Sequence, residues 1–463
     1  MVWYKEQMMK KNINNQRRSF LKGSVITAAA LVSIPNELFA ESTAKKVVIV
    51  GGGIAGSTIA RYLRKFIPQT TLLEITIIEP KTTYTTPFGT NEIITGARTL
   101  EALTVSYDAL KREITGVMVH KKASSINSTA KYVSTEDGME YLYDFCIVAT
   151  GIDFDYSDIV GLNAQTNVQV PHAYDLVNDG SIEQITELKS QLDAMANGAK
   201  VVLVAPQNAY RCPPAPYERA SQIAQYIKEN KPNSAITILD PKGAFAKQDS
   251  FEKAWSELYG YGTDSAIITW EGSTVVNEII IPNTGAKIIK TETDEISAEV
   301  VTYIPTMKAS KFAYDAGLIE TDSAMFDLDK RWAPVNQETF ESTMAGKEGI
   351  YIIGDSSKTN LPKSGYAANS EAKACAMAIV SKIKGINPTP ETIMTNGCYS
   401  FVGQDYAISI LQKFRIKEDK SGYALVSQGR NSSPLEADAR WRKKEAEQGH
   451  AWYTNFRKDC FGV

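Results

Sequence analysis

The segment KKVVIVGGGIAGSTIARYLRKF, beginning at Lys45, leaves a folding chain few choices. An apolar, β-branched run ends at Gly51, Gly53 and Gly56 in G-x-G-x-x-G spacing, and a stretch of helical character follows to about Lys65. In a strand–turn–helix unit these glycines allow the tight turn, the close approach of a pyrophosphate and close helix–strand packing. The helix N-terminus then offers free N–H groups and its positive dipole end to the phosphates. A glycine turn alone can be a mere packing device. Here a second apolar strand, LEITIIEP, ends at Glu79, 23 residues after Gly56, where a carboxylate binds adenosine ribose hydroxyls. Strand, loop, helix, strand and acid in that order predict an α/β dinucleotide-binding domain.

At 463 residues the chain exceeds one core, and two or three domains are expected. A second Rossmann unit is legible from about Gly198: GAKVVLVAP reads as a strand, PPAPYERASQIAQYIKEN as a helix, and SAITILDPK as a strand ending at Asp240. Its first loop, PQNAYRCPP, has no glycine, so a nicotinamide pyrophosphate could not approach the backbone closely. NAD(P)H is therefore not expected as reductant. Cys212 stands in this loop just ahead of the helix, where the macrodipole would lower its thiol pKa and favour thiolate. Glu218, at the helix start, is a candidate base or electrostatic gate. Arg211 and the flanking prolines argue against an inert apolar slot for Cys212.

A net charge of −3 gives no nucleic-acid footprint, and three histidines give no histidine-rich metal site. The five cysteines have neither C-x-x-C nor C-x-x-C-H spacing, so no metal or haem attachment is expected. NNQRRSFLKGSVITAAALVSI places Arg17 and Arg18 before a short apolar run, which resembles a twin-arginine export signal cleaved after Ala40. The run is too short to span a bilayer. A periplasmic location follows, and no stable membrane insertion. Near the C-terminus Ser433, Pro434 and Glu436 read as the capping box of a strongly charged helix, not a membrane-dipping one. His172, in VPHAYDL, reads as a hydrogen-bonded interdomain histidine rather than a proton shuttle.

YDFCIVATG ends a strand at Thr150 and Gly151, and GIYIIGDSS ends another at Gly354 and Asp355. Both resemble the closing motifs of FAD-dependent disulfide-reductase-like proteins. The resemblance implies FAD, with Asp355 on the ribityl chain. It also implies that KSGYAANSEAKACAMAIVSKI, through Gly365 and Tyr366, starts a helix facing the pyrimidine edge of the flavin.

RCPPAPYERASQIA, KSGYAANS, NGCYSF and AWYTNF extend the likeness over nearly all the chain beyond the leader. They resemble the flavoprotein subunit of flavocytochrome c sulfide dehydrogenase, within the sulfide:quinone oxidoreductase group. The implied fold is α/β, with two Rossmann-like domains of the FAD/NAD(P) type and a C-terminal interface domain. The FAD domain is split, 44–156 and 297–386, around a second domain at 157–296; the interface domain, 387–463, would meet a c-type cytochrome subunit. In that family sulfide attacks a redox disulfide beside the flavin, a persulfide forms, and electrons leave through FAD to a haem. Cys212 matches the first redox cysteine and Glu218 a nearby acid. In KRWAPVNQETFES, Ala333 stands where the family has its second cysteine, and in YTTPFGTNEIITG, Pro87 stands where some members tether FAD covalently. Non-covalent FAD is implied. A lone thiolate cannot be recycled by exchange without another sulfur. Cys398 and Cys375 are possible substitutes, Ala333→Cys would restore a partner, Cys146 reads as core and Cys460 as free. The chain is thus expected to oxidise sulfide or a related small sulfur species and to reduce a c-type cytochrome. The alternatives are a persulfide carrier, a flavoprotein acting on another donor, or a sulfide:quinone oxidoreductase.

Overall fold

The computed structural model describes residues 44–174, 184–320, 328–386, 392–419 and 422–463. The export leader and its cleavage point lie outside the described residues. Along the chain the principal elements are β1 (Lys45–Val50), α1 (Ile54–Phe66), β2 (Leu73–Ile78), β3 (Val117–Val119), β4 (Phe145–Val148) and β5 (Lys200–Val204). There follow α2 (Ala215–Asn230), β6 (Ala235–Asp240), β7 (Ile268–Gly272), β8 (Val300–Tyr303), β9 (Ile350–Ile352) and α3 (Gly365–Lys384). The last are β10 (Ile393–Gly403), β11 (Tyr406–Asp419), β12 (Gly422–Ser432) and α4 (Ala439–Phe461).

Two parallel sheets form the scaffold. The first has the order β9-β4-β1-β2-β3. Because β9 joins strands that all precede residue 150, the domain is split in sequence, and the intervening chain builds the second sheet, β7-β6-β5-β8. Central strands of such sheets are covered on both faces and so read as continuous apolar runs. Val47 to Val50 and Phe145 to Val148 are buried along their whole length for that reason. Each large aliphatic buried here contributes about 1.5–3 kcal/mol.

Helix α1 packs against α3, and the alanines of α3, among them Ala367, Ala368 and Ala372, are buried. Asn369 Nδ2 donates to Thr58 Oγ1 at 3.1 Å across that contact. After α3 the chain makes an antiparallel meander, β10-β11-β12, with α4 packed on β11.

The C-terminal helix begins later than its sequence suggests. Ser433 N donates to Ser409 O at 3.0 Å, which continues the ladder with β11, and its hydroxyl donates to Glu445 Oε1 at 2.6 Å. With Ser433 committed to the sheet, Asp438 caps the helix instead, its side chain accepting from Trp441 N. Among the described residues no helix is long and apolar enough to cross a membrane.

Candidate functional site

A cavity of about 520 Å³ lies over the C-terminal ends of β1, β4 and β9, where open α/β sheets bind their ligands. Gly51 has φ +101, and a Cβ there would stand 2.5 Å from Ala149 O. At Gly56 a Cβ would come within 1.9 Å of Gly51 O, so only glycine lets α1 start this close to β1. Gly51, Gly53, Glu79, Thr150, Gly151, Gly354, Asp355, Gly365 and Tyr366 all line the cavity, as do Cys212 and Glu218. Gly56 does its work beneath the floor.

Glu79 stands at the end of β2 and accepts from Gly52 N at 2.8 Å and from Lys81 N at 3.0 Å. Thr150 Oγ1 and Ser310 Oγ are hydrogen-bonded at 2.5 Å, and Ser356 Oγ donates to Gly151 O. Gly354 N donates to the buried Glu371 carboxylate at 2.7 Å. Asp355 carries a contact the sequence did not disclose: Arg211 Nε donates to its Oδ2 at 2.6 Å. Beside it Lys363 Nζ donates to Asp355 O and Ser357 O, each at 2.8 Å, and lies 3.7 Å from the Trp332 ring centroid. Burial lowers the Lys363 ammonium to about 8. At the start of α3, Ser364 caps the helix through Ala367 N, and Tyr366 stacks on Trp452 with centroids 6.0 Å apart.

The sulfur end of the cavity differs most from expectation. Cys212 has φ +57, a left-handed conformation rare for a side chain with a Cβ, and its N–H donates to Lys363 O at 2.6 Å. Its side chain lines the same cavity as Cys398 on β10, and each sulfur acts on the other's proton. Cys398 Sγ also lies 3.9 Å from Lys247 Nζ, which donates to Ser400 Oγ at 2.8 Å. The neighbouring Cys212 thiol, helped by Lys247 and Ser400 against desolvation, lowers Cys398 to about 6. Cys212 is pushed well above the usual thiol range by Cys398 and by burial. The expected helix-activated thiolate at Cys212 is therefore corrected: the thiolate of the pair is Cys398. Helix-end effects of about 0.3–1 kcal/mol do not outweigh burial and the negative Cys398 beside it.

Glu218 is buried, and desolvation, then the charges of Cys398 and Glu92, raise it to about 8 against Lys247 and Asn91. At neutral pH it is an acid with its proton on, not the base suggested by its position. Ala333 is fully buried, pairs with Ser357 in a two-residue strand, and is absent from the cavity lining. Of the two substitutes considered for its sulfur, Cys375 is buried within α3 outside the cavity, its thiol pushed up by desolvation, whereas Cys398 lines the cavity with Cys212. Cys146 is core in β4; Cys460 is a free thiol but buried, accepting from Asn369 Nδ2 at 3.4 Å. His172 is buried beside Gln184 and Tyr174, and desolvation with Arg219 lowers it to about 3, so it stays neutral.

In the second sheet, the position of the ribose carboxylate is taken by Asp240, which is fully buried. It accepts from Tyr217 Oη at 2.6 Å and Trp270 Nε1 at 3.1 Å, and pairs with Lys242 at 2.6 Å. Phe245 stacks on Tyr217 with centroids 3.7 Å apart. The crevice beyond these strands is filled by the chain's own side chains. Among the described residues no cluster of His, Cys, Asp and Glu could hold a metal ion.

Residues 185–305 match the model for the central region of the sulfide dehydrogenase [flavocytochrome c] flavoprotein chain. Residues 390–461 match the flavin-binding region of flavocytochrome c sulphide dehydrogenase, and 45–204 match pyridine nucleotide-disulphide oxidoreductases. The sulfide dehydrogenase [flavocytochrome c] flavoprotein chain of Chlorobaculum thiosulfatiphilum is 49% identical over 46 residues, which are 10% of this chain and 90% of that sequence. The chain belongs to the flavocytochrome c sulfide dehydrogenase flavoprotein family. The sulfide-quinone reductase of Aquifex aeolicus is 32% identical over 108 residues, 23% of this chain, and the match spans only 24% of that protein's length. The crystal structure of the sulfide:quinone oxidoreductase from Aquifex aeolicus shares the fold, with TM-score 0.66 at 18% identity over 91% of this chain and 93% of that one.

FAD is the cofactor of this family member. The residues present fit it: a glycine cradle that admits no Cβ, an acid after β2, and a helix N-terminus opening on a cavity long enough to reach from Glu79 to Cys212.

Proposed function

We propose that this protein oxidises sulfide, or a related small sulfur species, and passes the electrons singly to a c-type cytochrome subunit in the periplasm. The observation that carries the reading is a reactive sulfur pair at one end of a cavity whose other end is a dinucleotide cradle. FAD, when bound, takes up electrons in pairs and releases them one at a time. The chain's part is to bind and to select. Backbone N–H groups at the start of α1 hold the pyrophosphate, Glu79 keeps acceptor capacity for ribose hydroxyls, and Pro87 offers no sulfur for a covalent tether, so FAD is held non-covalently. Lys247, beside Cys398, makes the sulfur end attractive to an anion such as HS⁻. Glu218, holding its proton at neutral pH, adds no repelling charge.

The filled crevice around Asp240 and Phe245 supports a donor other than NAD(P)H. Arg17 and Arg18 ahead of the apolar run support export by the twin-arginine route, which carries proteins already folded around a cofactor. The test is sulfide-dependent reduction of a soluble c-type cytochrome by the purified, FAD-loaded protein, with a soluble quinone as the competing acceptor. Reduction of the cytochrome is expected, and reduction of the quinone alone would refute the acceptor assignment.

A further inference from the structure

The two cavity sulfurs come from elements far apart in sequence. Cys212 ends the loop before α2, and Cys398 lies in the middle of β10. Helix α2 and β10 pack together, and Gln222 Nε2 on α2 donates to Phe401 O on β10 at 2.8 Å. This places Cys212 and Cys398 in the lining of one cavity, beside Glu218 and within each other's electrostatic reach. The surroundings of the two sulfurs are unequal. Lys247 Nζ lies 3.9 Å from the Cys398 sulfur and is held there by Ser400 Oγ at 2.8 Å and by the carbonyls of Cys398 and Ile408, each at 3.4 Å. Cys212 has the neighbouring Glu218 carboxyl instead. All five cysteines are thiols in this state.

We propose that Cys212 and Cys398 form the reversible redox disulfide of this protein, with Cys212 the sulfur that sulfide attacks and Cys398 the sulfur that leaves. The proposal rests on the sulfide-oxidising reading above and supplies the partner that Ala333 cannot. Forming the bond removes two electrons and two protons from the dithiol to a two-electron acceptor. In the exchange, HS⁻ attacks Cys212 Sγ; the S–S bond to Cys398 breaks and a new one forms to the incoming sulfur. The products are a persulfide, Cys212–S–SH, and the Cys398 thiolate, which carries the displaced electron pair beside Lys247. No further oxidant is needed for that step. Direction follows from the leaving group: the thiol of lower pKa departs faster, and the ammonium and hydroxyl that hold negative charge stand at Cys398, not at Cys212.

The test maps sulfur in the full-length, FAD-loaded protein. Diamide, which takes up the electron pair and both protons, is added without air, and the sample is alkylated and digested without reduction. The expected result is loss of two of the five thiols and a crosslink joining the peptides of Cys212 and Cys398. One equivalent of sulfide, followed by alkylation, should then leave one extra sulfur atom on Cys212 and a plain alkylated Cys398. Cys375→Ser and Cys460→Ser should keep both signatures. No crosslink, a crosslink to another cysteine, or extra sulfur on Cys398 would overturn the assignment. Flavin absorbance in the same samples separates the two claims. Bleaching by sulfide without the crosslink overturns the pairing and leaves sulfide oxidation standing; crosslink and sulfur capture without bleaching do the reverse.

Discussion

The charge environment of Cys398 is set mainly by residues outside its own strand. A cysteine in a β-strand is ordinarily an inert small hydrophobe; here Lys247 stands beside it and it shares its cavity with Cys212. Cys398→Ser should slow sulfide-dependent flavin reduction by about 100-fold or more, the scale on which displacing a reacting group acts. Stopped-flow absorbance measures it. Ala333→Cys should change that rate little, because Cys212 already has a thiol partner and Ala333 lies outside the cavity lining. Glu218 gives a pH prediction with a definite sign. Its folded pKa is raised from the ordinary 4.5 to about 8, so between those values the unfolded chain ionises while the folded one keeps its proton. Stability therefore falls through that window, at about 1.4 kcal/mol per pH unit for this group alone, and the loss is complete above the upper value. Glu218→Gln should flatten the fall and melt above wild type in alkaline buffer, read by thermal unfolding across pH. Cys212 and Glu218 were legible because both sit at one loop and helix start. Cys398 was only one of two substitutes on sequence grounds, because its neighbours Cys212 and Lys247 lie more than a hundred residues away and no local pattern encodes that proximity.

Elements carry the site by their packing. The turn between β1 and α1 leaves no room for a side chain at Gly51, and Gly56→Ala would drive a Cβ into Gly51 O. Overpacking of this kind costs about 1–3 kcal/mol, and here it also pushes α1 away from the phosphate site. Gly56→Ala should accordingly purify with less bound FAD, measured as the ratio of flavin to protein absorbance. The βαβ periodicity of both Rossmann units was readable because buried parallel strands are written as unbroken apolar runs. The start of α4 was misread because Ser433 satisfies a capping pattern and a strand ladder equally well in one dimension, and the ladder with Ser409 takes it. A disulfide between the α2 loop and β10 would close a loop of more than a hundred residues, for which chain entropy predicts about 5 kcal/mol of stabilisation. Oxidised wild type should thus melt higher than reduced wild type, and Cys398→Ser should not respond to oxidant.

At the scale of the molecule, one Rossmann unit keeps its crevice open and the other has closed it. The difference was half visible in sequence: the absence of glycine from PQNAYRCPP excludes a phosphate cradle, but the filling of the crevice by Tyr217, Phe245 and Lys242 depends on how loops fold over strand ends. NADH and NADPH should fail to bleach the flavin, and saturable bleaching at micromolar NADH would count against that reading of the second domain. Acid precipitation should release all the yellow colour into the supernatant, since Pro87 provides no tether. The proposed function turns on one place, the line along the cavity from the dinucleotide cradle to Cys212 and Cys398. That line is tested most directly by anaerobic titration of the FAD-loaded protein with sulfide while the flavin absorbance band is followed. The account predicts rapid bleaching in wild type near stoichiometric sulfide and a flavin left oxidised in Cys212→Ser on the same timescale. An unbleached wild-type flavin, or equal bleaching in both proteins, would contradict it.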